Sequence, residues 1–183
     1  MPSFISHAVA GTGIAAPFYR EGVPTRLLVV GAAFAAMPDL DAIGFWFGVP
    51  PEGLLGHRGI THSLCFAAVL ATTTVLLCYR KGAGPLGAGT VWLFLALATA
   101  SHGLLDTLTD GGRGVELLAP FSDQRFFAPF RPIAVSPIGF HGVLSLRGLR
   151  IAASEFLVIG LPAIAAWIST GWLRRNRSVP HEV

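Results

Sequence analysis

The residues of this sequence that could do chemistry are ionisable side chains within or beside apolar stretches. Two carboxylates occur as Asp39 and Asp41, and a histidine and a carboxylate occur four residues apart as His102 and Asp106. Residues at positions i and i+4 share one helix face, so His102 and Asp106 could offer a nitrogen and an oxygen to one metal ion. Imidazole and carboxylate ligands without thiolates suit Zn²⁺ or another divalent cation such as Mn²⁺.

Asp39 and Asp41 can face one site only if their helix is interrupted. On a straight helix, residues two positions apart point in different directions. Pro38 disfavours helical geometry at Met37 and removes a backbone donor. A broken helix within a membrane is tolerated where it lines a cavity. We therefore expect an unwound segment that turns both carboxylates inward.

The composition indicates a membrane protein. Of 183 residues, 52% are hydrophobic and 13% are charged, about half the charge of an ordinary soluble domain. This balance argues against a soluble domain and against disorder. The net charge of +3 comes without a basic run, so no nucleic-acid partner is expected. Cys65 and Cys78 lie too far apart along one apolar run to form a disulfide.

Five apolar stretches approach the roughly 20 residues that cross about 30 Å of hydrocarbon. The first lacks the basic start of a secretory signal, so we expect it to be retained. The sequence predicts an all-α membrane protein, a single membrane-embedded domain over 1–183 with a bundle of about five transmembrane helices. The predicted spans are approximately 3–19, 27–48, 63–79, 87–105 and 152–172.

A segment rich in proline and phenylalanine, 106–151, separates the last two predicted spans. Its prolines exclude long helices, and its aromatic residues favour an extramembrane cap or interfacial segment over the bundle. Seven of the basic residues fall on one predicted membrane face and six on the other. Because several of the six lie within this long segment, the charge rule favours a cytoplasmic C-terminus.

The predicted topology brings the ionisable residues to one membrane face, whichever face is outside. Charged groups within spans are costly and mark functional sites by default. Arg58, which lies among them, could hold an anion such as a phosphate bidentately. The residues that converge are His7, Asp39, Asp41, His57, His62, His102, Asp106 and Glu155.

Each of these residues also has an ordinary structural explanation. Asp39 and Asp41 could cap a short helix, and His102 and Asp106 could form a hydrogen-bonded pair. Glu155 could be a first-turn acid favoured by the helix dipole. These explanations are individually reasonable, but together they do not account for so many polar groups at one end of five helices.

Three sequence blocks resemble the YdjM-type inner-membrane metal-dependent hydrolases. They are Pro-Asp-x-Asp at 38–41, Gly-His-Arg-Gly-x-Thr-His-Ser at 56–63, and Ser-His-x-x-x-Asp-x-x-Thr at 101–109. The early His7, the Phe-Arg-Pro-Ile element at 130–133 and an acid opening the last span are also similar. The resemblance extends from about residue 7 to about residue 155. The family has been linked to LexA binding, but no residue pattern here indicates such a contact.

The resemblance implies a ligand set and catalytic roles. Arg58 would bind the scissile anion, and either Asp41 or Glu155 would act as general base. His57 is a second-choice ligand. Six ligands exceed the needs of one zinc ion, so one or two ions are expected, and two would activate water and stabilise the leaving oxygen. The implied ligands are His7, Asp39, Asp41, His62, His102 and Asp106.

The resemblance also implies a multi-pass protein of the bacterial inner membrane that hydrolyses an ester with metal-activated water. The expected partners are the lipid bilayer and a small-molecule or lipid substrate, with no protein partner indicated. A looser similarity to the zinc-dependent phospholipase C fold favours a phosphoester. Two alternatives remain: a metal or proton transporter, and a non-catalytic membrane protein with a structural metal site.

Overall fold

The computed structural model describes residues 1–136 and 145–177, and in these ranges its regular elements are helices, with isolated β-bridges and no strand. Residues 137–144, part of the predicted cap, and residues 178–183 lie outside the described residues. The prediction of an all-helical chain is confirmed for the part described. The elements are α1 (Phe4–Ala15), α2 (Thr25–Ala36), a 3₁₀ helix (Met37–Phe47), a 3₁₀ turn (Ile60–His62), α3 (Leu64–Cys78), α4 (Ala88–Thr107), α5 (Leu146–Glu155), a π-helical turn (Phe156–Gly160) and α6 (Leu161–Arg177).

Within the described residues, three helical runs are long and apolar enough to cross a membrane: Thr25–Phe47, Ala88–Thr107 and Leu146–Asn176. The other two, Phe4–Ala15 and Leu64–Cys78, are apolar but shorter. Membrane crossing by all five runs therefore stays a prediction. The last run begins at Leu146, six residues before the predicted start at 152, because Ser145 caps its first turn by accepting a hydrogen bond from the Gly148 N–H.

Small residues let the helices approach closely. A Cβ at Gly11 would lie 2.8 Å from the Gly31 carbonyl oxygen, and one at Gly31 would overlap the Phe94 ring. Helices α1 and α2 therefore pack backbone against backbone, with α4 filling the groove beside them. The largest buried apolar side chains, Phe94, Leu27 and Leu95, lie in this region.

The apolar core occupies one half of the bundle. Its members come from the C-terminal part of α1, the N-terminal part of α2, the C-terminal part of α3 and the N-terminal part of α4. The opposite ends of these four helices carry the buried histidines and carboxylates. The apolar half is thus a scaffold, and the polar groups are held beyond it at one end.

The segment after α4 folds across that polar end. Isolated bridges join Thr109 to Ile133 and Val115 to Phe126, and the Asp110 N–H donates to the Ile133 carbonyl at 2.9 Å. Its described part, 108–136, therefore forms a non-helical layer over the ends of the helices.

Replacing Gly31 with alanine should destabilise the bundle by about 1–3 kcal/mol, because the added methyl group collides with Phe94. The measurement is the unfolding midpoint of the detergent-solubilised protein. Gly89→Ala is the matched control, since a Cβ there meets no atom within 4 Å. Equal stability of the two variants would contradict the close packing of α2 against α4.

Candidate metal centre

The structure brings six of the predicted residues together at the polar end of the bundle. Four helix ends meet at this place. They are the start of α1, the junction of α2 with the 3₁₀ helix, the 3₁₀ turn before α3, and the end of α4. His7, His102 and Asp106 are fully buried, with no exposed surface. The six residues are His7, Asp39, Asp41, His62, His102 and Asp106.

The sequence predicted an unwound segment at the two aspartates, and this prediction is wrong. The chain continues there as a 3₁₀ helix. Two residues differ by about 160° in direction on an α-helix but by only about 120° on a 3₁₀ helix. Tightening the helix therefore turns both carboxylates toward His62. Its Nε2 lies 3.9 Å from Asp39 Oδ1, and its Nδ1 lies 3.2 Å from Asp41 Oδ2.

Three ligand atoms form a triangle of suitable size for a metal ion. His62 Nε2 and His102 Nε2 are 3.0 Å apart, and Asp39 Oδ1 lies 3.3 Å from His102 Nε2 and 3.9 Å from His62 Nε2. A tetrahedral ion with bonds of about 2.1 Å separates its ligand atoms by about 3.4 Å. The spacing of the donors therefore fits a divalent ion such as zinc.

The hydrogen bonds of the two histidines determine which ring nitrogens are free. His102 Nδ1 lies 2.7 Å from the Ala35 carbonyl oxygen, which can only accept, so Nδ1–H donates. His62 Nδ1 faces the Asp41 carboxylate and donates likewise. In the neutral rings both Nε2 lone pairs then point at each other, an arrangement that a shared cation stabilises. Burial lowers the pKa of His62, which favours its neutral, metal-binding form.

Asp106 links this triangle to His7. Its Oδ1 lies 3.4 Å from His7 Nε2, and its Oδ2 lies 3.6 Å from His62 Nε2. The His7 ring stacks on the His102 ring with centroids 3.7 Å apart. Among the described residues, six buried atoms of this region make no hydrogen bond, although Arg58 forms an ion pair with Asp106: both ring nitrogens of His7 and both carboxylate oxygens of Asp39 and of Asp106. Buried polar atoms without partners are costly, and coordination of a cation would satisfy them.

Asp41 has a different environment from Asp39. Its carboxylate accepts hydrogen bonds from Thr61 Oγ1 at 2.7 Å and the Arg58 N–H at 3.2 Å, and it also faces ring nitrogens of His57 and His62. Three of these partners contact Oδ2, and the fourth, His57 Nδ1, contacts Oδ1. The observed role of Asp41 is therefore to orient the two histidines. Its direct binding of metal stays a prediction.

The side chain of Arg58 is buried and binds other residues of the protein. The residue is 3% exposed; its Nε lies 2.9 Å from Asp106 Oδ2, and its terminal nitrogens donate to Thr109 Oγ1 and to the Gly111 carbonyl. Its φ of 66° is uncommon for a residue other than glycine and is held by these contacts. Arg58 thus balances the charge of Asp106, and the anion-binding role that the sequence suggested for it stays a prediction.

Glu155 is not brought into contact with the other predicted ligands. Its carboxylate accepts hydrogen bonds from the Ser3 N–H, Ser3 Oγ and Ser6 Oγ, each at 2.6 Å. These bonds hold the first turn of α1, which carries His7, against the last helical run. The hydrogen bonds of Glu155 in the described structure go to the N-cap residue and first turn of α1, so its observed contacts anchor that helix, and the predicted general-base role stays a prediction.

A cleft of about 240 Å³ opens beside the cluster and is lined in part by Phe45, His57, Arg58 and Arg113. His57 is partly exposed there, while its Nδ1 lies 2.6 Å from Asp41 Oδ1. His57 also belongs with Asp39 and His62 to a group whose ligand atoms lie within 4.8 Å of one another. A substrate in the cleft would therefore approach the cluster from the side of His57.

Sequence reasoning did not assign roles to several residues that support the site. Thr61 bonds to Asp41, and Thr109 bonds to Arg58; both stand in the motif blocks, which was the available signal. Arg125 bonds to Glu116 Oε1 at 2.7 Å and to the carbonyls of Pro51 and His57. This pair braces the loop that carries His57, a contact between distant segments that no local pattern reveals.

A bundle of apolar helices with buried imidazoles and carboxylates at one end defines a helical membrane protein with a candidate metal centre. The chain belongs to the YdjM inner membrane protein family, whose model matches residues 1–178. It is similar to the inner membrane protein YbcI of Escherichia coli (strain K12), with 40% identity over 177 residues, 96% of this chain and 100% of that protein. No solved structure matches the chain significantly. The family and the inner-membrane location predicted from the sequence are confirmed.

Replacing Glu155 with alanine should cost about 2–4 kcal/mol of stability, because it removes three hydrogen bonds to a buried carboxylate. Chemical unfolding of the purified protein measures this. Glu21→Ala, at an exposed carboxylate, should change stability by less than about 0.5 kcal/mol. Loss of one metal ion in Glu155→Gln, with stability kept, would instead assign Glu155 to the ligands.

Proposed function

We propose that this protein is a membrane-embedded metal-dependent hydrolase that uses Zn²⁺ or Mn²⁺. The observation that carries the proposal is the set of six buried ligand atoms that make no hydrogen bond within the described residues, beside two imidazole nitrogens 3.0 Å apart. Such a cluster is costly without a cation, and its position next to a cleft gives a substrate access to it.

One ion fits the triangle of Asp39, His62 and His102. A second position is supported by the group of His7, His102 and Asp106, whose ligand atoms also lie within 4.8 Å of one another. One or two ions are therefore proposed. When bound, a divalent ion supplies a Lewis acid and lowers the pKa of bound water.

The proton-transfer role is best supported for His57. Asp41 orients this ring through Nδ1, which leaves Nε2 to take or release a proton at the cleft. Histidine held by a carboxylate in this way is a common general base. Asp41 then acts through His57, and Arg58 holds Asp106 in place through their ion pair.

The substrate class follows from the surroundings of the cleft. Phe45 lines it, and the next two residues, Trp46 and Phe47, are 85% and 80% exposed at the end of a candidate span. Aromatic residues at such positions favour the membrane–water interface. We propose a phosphoester or other ester of an amphipathic or lipid-like molecule, in a protein of five spans with a cytoplasmic C-terminus.

Purified protein should contain stoichiometric divalent metal, and the double variant His102→Ala, Asp106→Ala should lose it, because both side chains lie in the buried cluster. Elemental analysis of protein prepared without added chelator is the measurement. Asp123→Asn, at an exposed carboxylate, should keep the full metal content. Metal-free wild-type protein would contradict the proposal.

His57→Gln should retain the metal at Asp39, His62 and His102 but lower hydrolysis about 10²- to 10⁴-fold, because it removes the proposed base. The assay compares kcat of the two proteins on phosphoester substrates in lipid nanodiscs. Unchanged kcat would exclude His57 as the base. If chelation unfolds the protein and no ester is hydrolysed, the metal has a structural role only. Metal uptake into proteoliposomes would instead identify a transporter.

A further inference from the structure

Two arginines line the cleft, and only one has its guanidinium engaged with the buried cluster. Arg58 is 3% exposed and contacts Asp106, Thr109 and the Gly111 carbonyl. Arg113 has a 56% exposed side chain and pairs with Glu52, which is 63% exposed. The cationic group that can meet an incoming anion without breaking the cluster is therefore Arg113.

The loop that carries Arg113 is built from glycines. Gly112 and Gly114, on either side, have φ values of +93° and +77°, which side-chain-bearing residues rarely adopt. A Cβ at Gly112 would lie 2.5 Å from Arg58 Nη1, so the backbone of the loop rests on the Arg58 guanidinium. The loop begins just after α4, which carries Asp106. This construction fixes the base of Arg113 beside the cluster and leaves its side chain at the mouth of the cleft.

The ion pair with Glu52 is suited to exchange. Exposed pairs of this kind contribute little net stability, so an anionic ligand can displace the glutamate at small cost. Guanidinium groups bind phosphate through two parallel charge-assisted hydrogen bonds. Glu52 therefore competes with the ligand for Arg113 and keeps the cleft closed to weakly held anions.

We propose that Arg113 is the anion-binding residue of the cleft and that it exchanges Glu52 for the phosphate group of a ligand. The inference rests on the proposed function for its location, since the bound phosphate would lie next to the candidate metal centre. It assigns to Arg113 the anion-binding role that residue types alone suggested for Arg58.

The test measures binding of inorganic phosphate to the full-length, metal-loaded protein in phosphatidylcholine nanodiscs by calorimetry. Arg113→Ala should weaken binding at least about ten-fold, because it removes charge-assisted hydrogen bonds. Glu52→Gln should strengthen binding about two- to five-fold, because it removes the competitor. Arg131→Ala is the control and should leave binding unchanged, since this arginine packs on Phe127 and does not line the cleft.

Equal phosphate affinity of Arg113→Ala and the wild type overturns the inference, and so does weaker binding by Glu52→Gln. Glycerol phosphate and a short-chain phosphatidic acid then identify the source of the phosphate. Tighter binding of the lipid supports a headgroup at this site, and equal binding supports a soluble ester. Metal content and hydrolysis are measured on the same samples, so a phosphate site in a protein without hydrolysis refutes the proposed function alone.

Discussion

The close approach of His62 and His102 is the constraint on which the rest of the site depends. The two buried Nε2 atoms are 3.0 Å apart. When both rings are neutral and protonated on Nδ1, their lone pairs repel unless a positive charge lies between them. Asp39, 3.3 Å from His102, supplies negative charge on one side of this pair. Burial of His62, His102 and Asp39 is unfavourable without a cation and becomes favourable when the three side chains bind a divalent ion. The surrounding contacts hold their ligand atoms in place.

Those contacts come from chain segments far apart in sequence. The Ala35 carbonyl holds His102, and Asp41 holds both His62 and His57. Arg58 neutralises Asp106, while the non-helical segment after α4 supports the arginine through Thr109. A buried charge without such a partner would destabilise the bundle. Asp106 has Arg58 as its counter-charge, whereas the carboxylate of Asp39 makes no hydrogen bond within the described residues and faces His102.

The separation of the molecule into an apolar half and a polar end also bears on function. A transporter needs polar groups along its whole path, whereas here the described buried histidines and ion pairs lie at one end. A cleft at that end is bordered by exposed aromatic residues, which favour the interface between membrane and water. The proposed hydrolysis of an amphipathic ester would use both features.

The sequence by itself determined the class of protein and the convergence of its polar residues, because hydropathy and helix direction place such groups without knowledge of packing. The i, i+4 spacing of His102 and Asp106 also predicted a shared helix face. The contacts of Asp41, Arg58 and Glu155 were decided only by tertiary structure. Their hydrogen-bond partners lie on other segments, and whether a carboxylate binds metal or orients a ligand depends on which donors the fold brings to it.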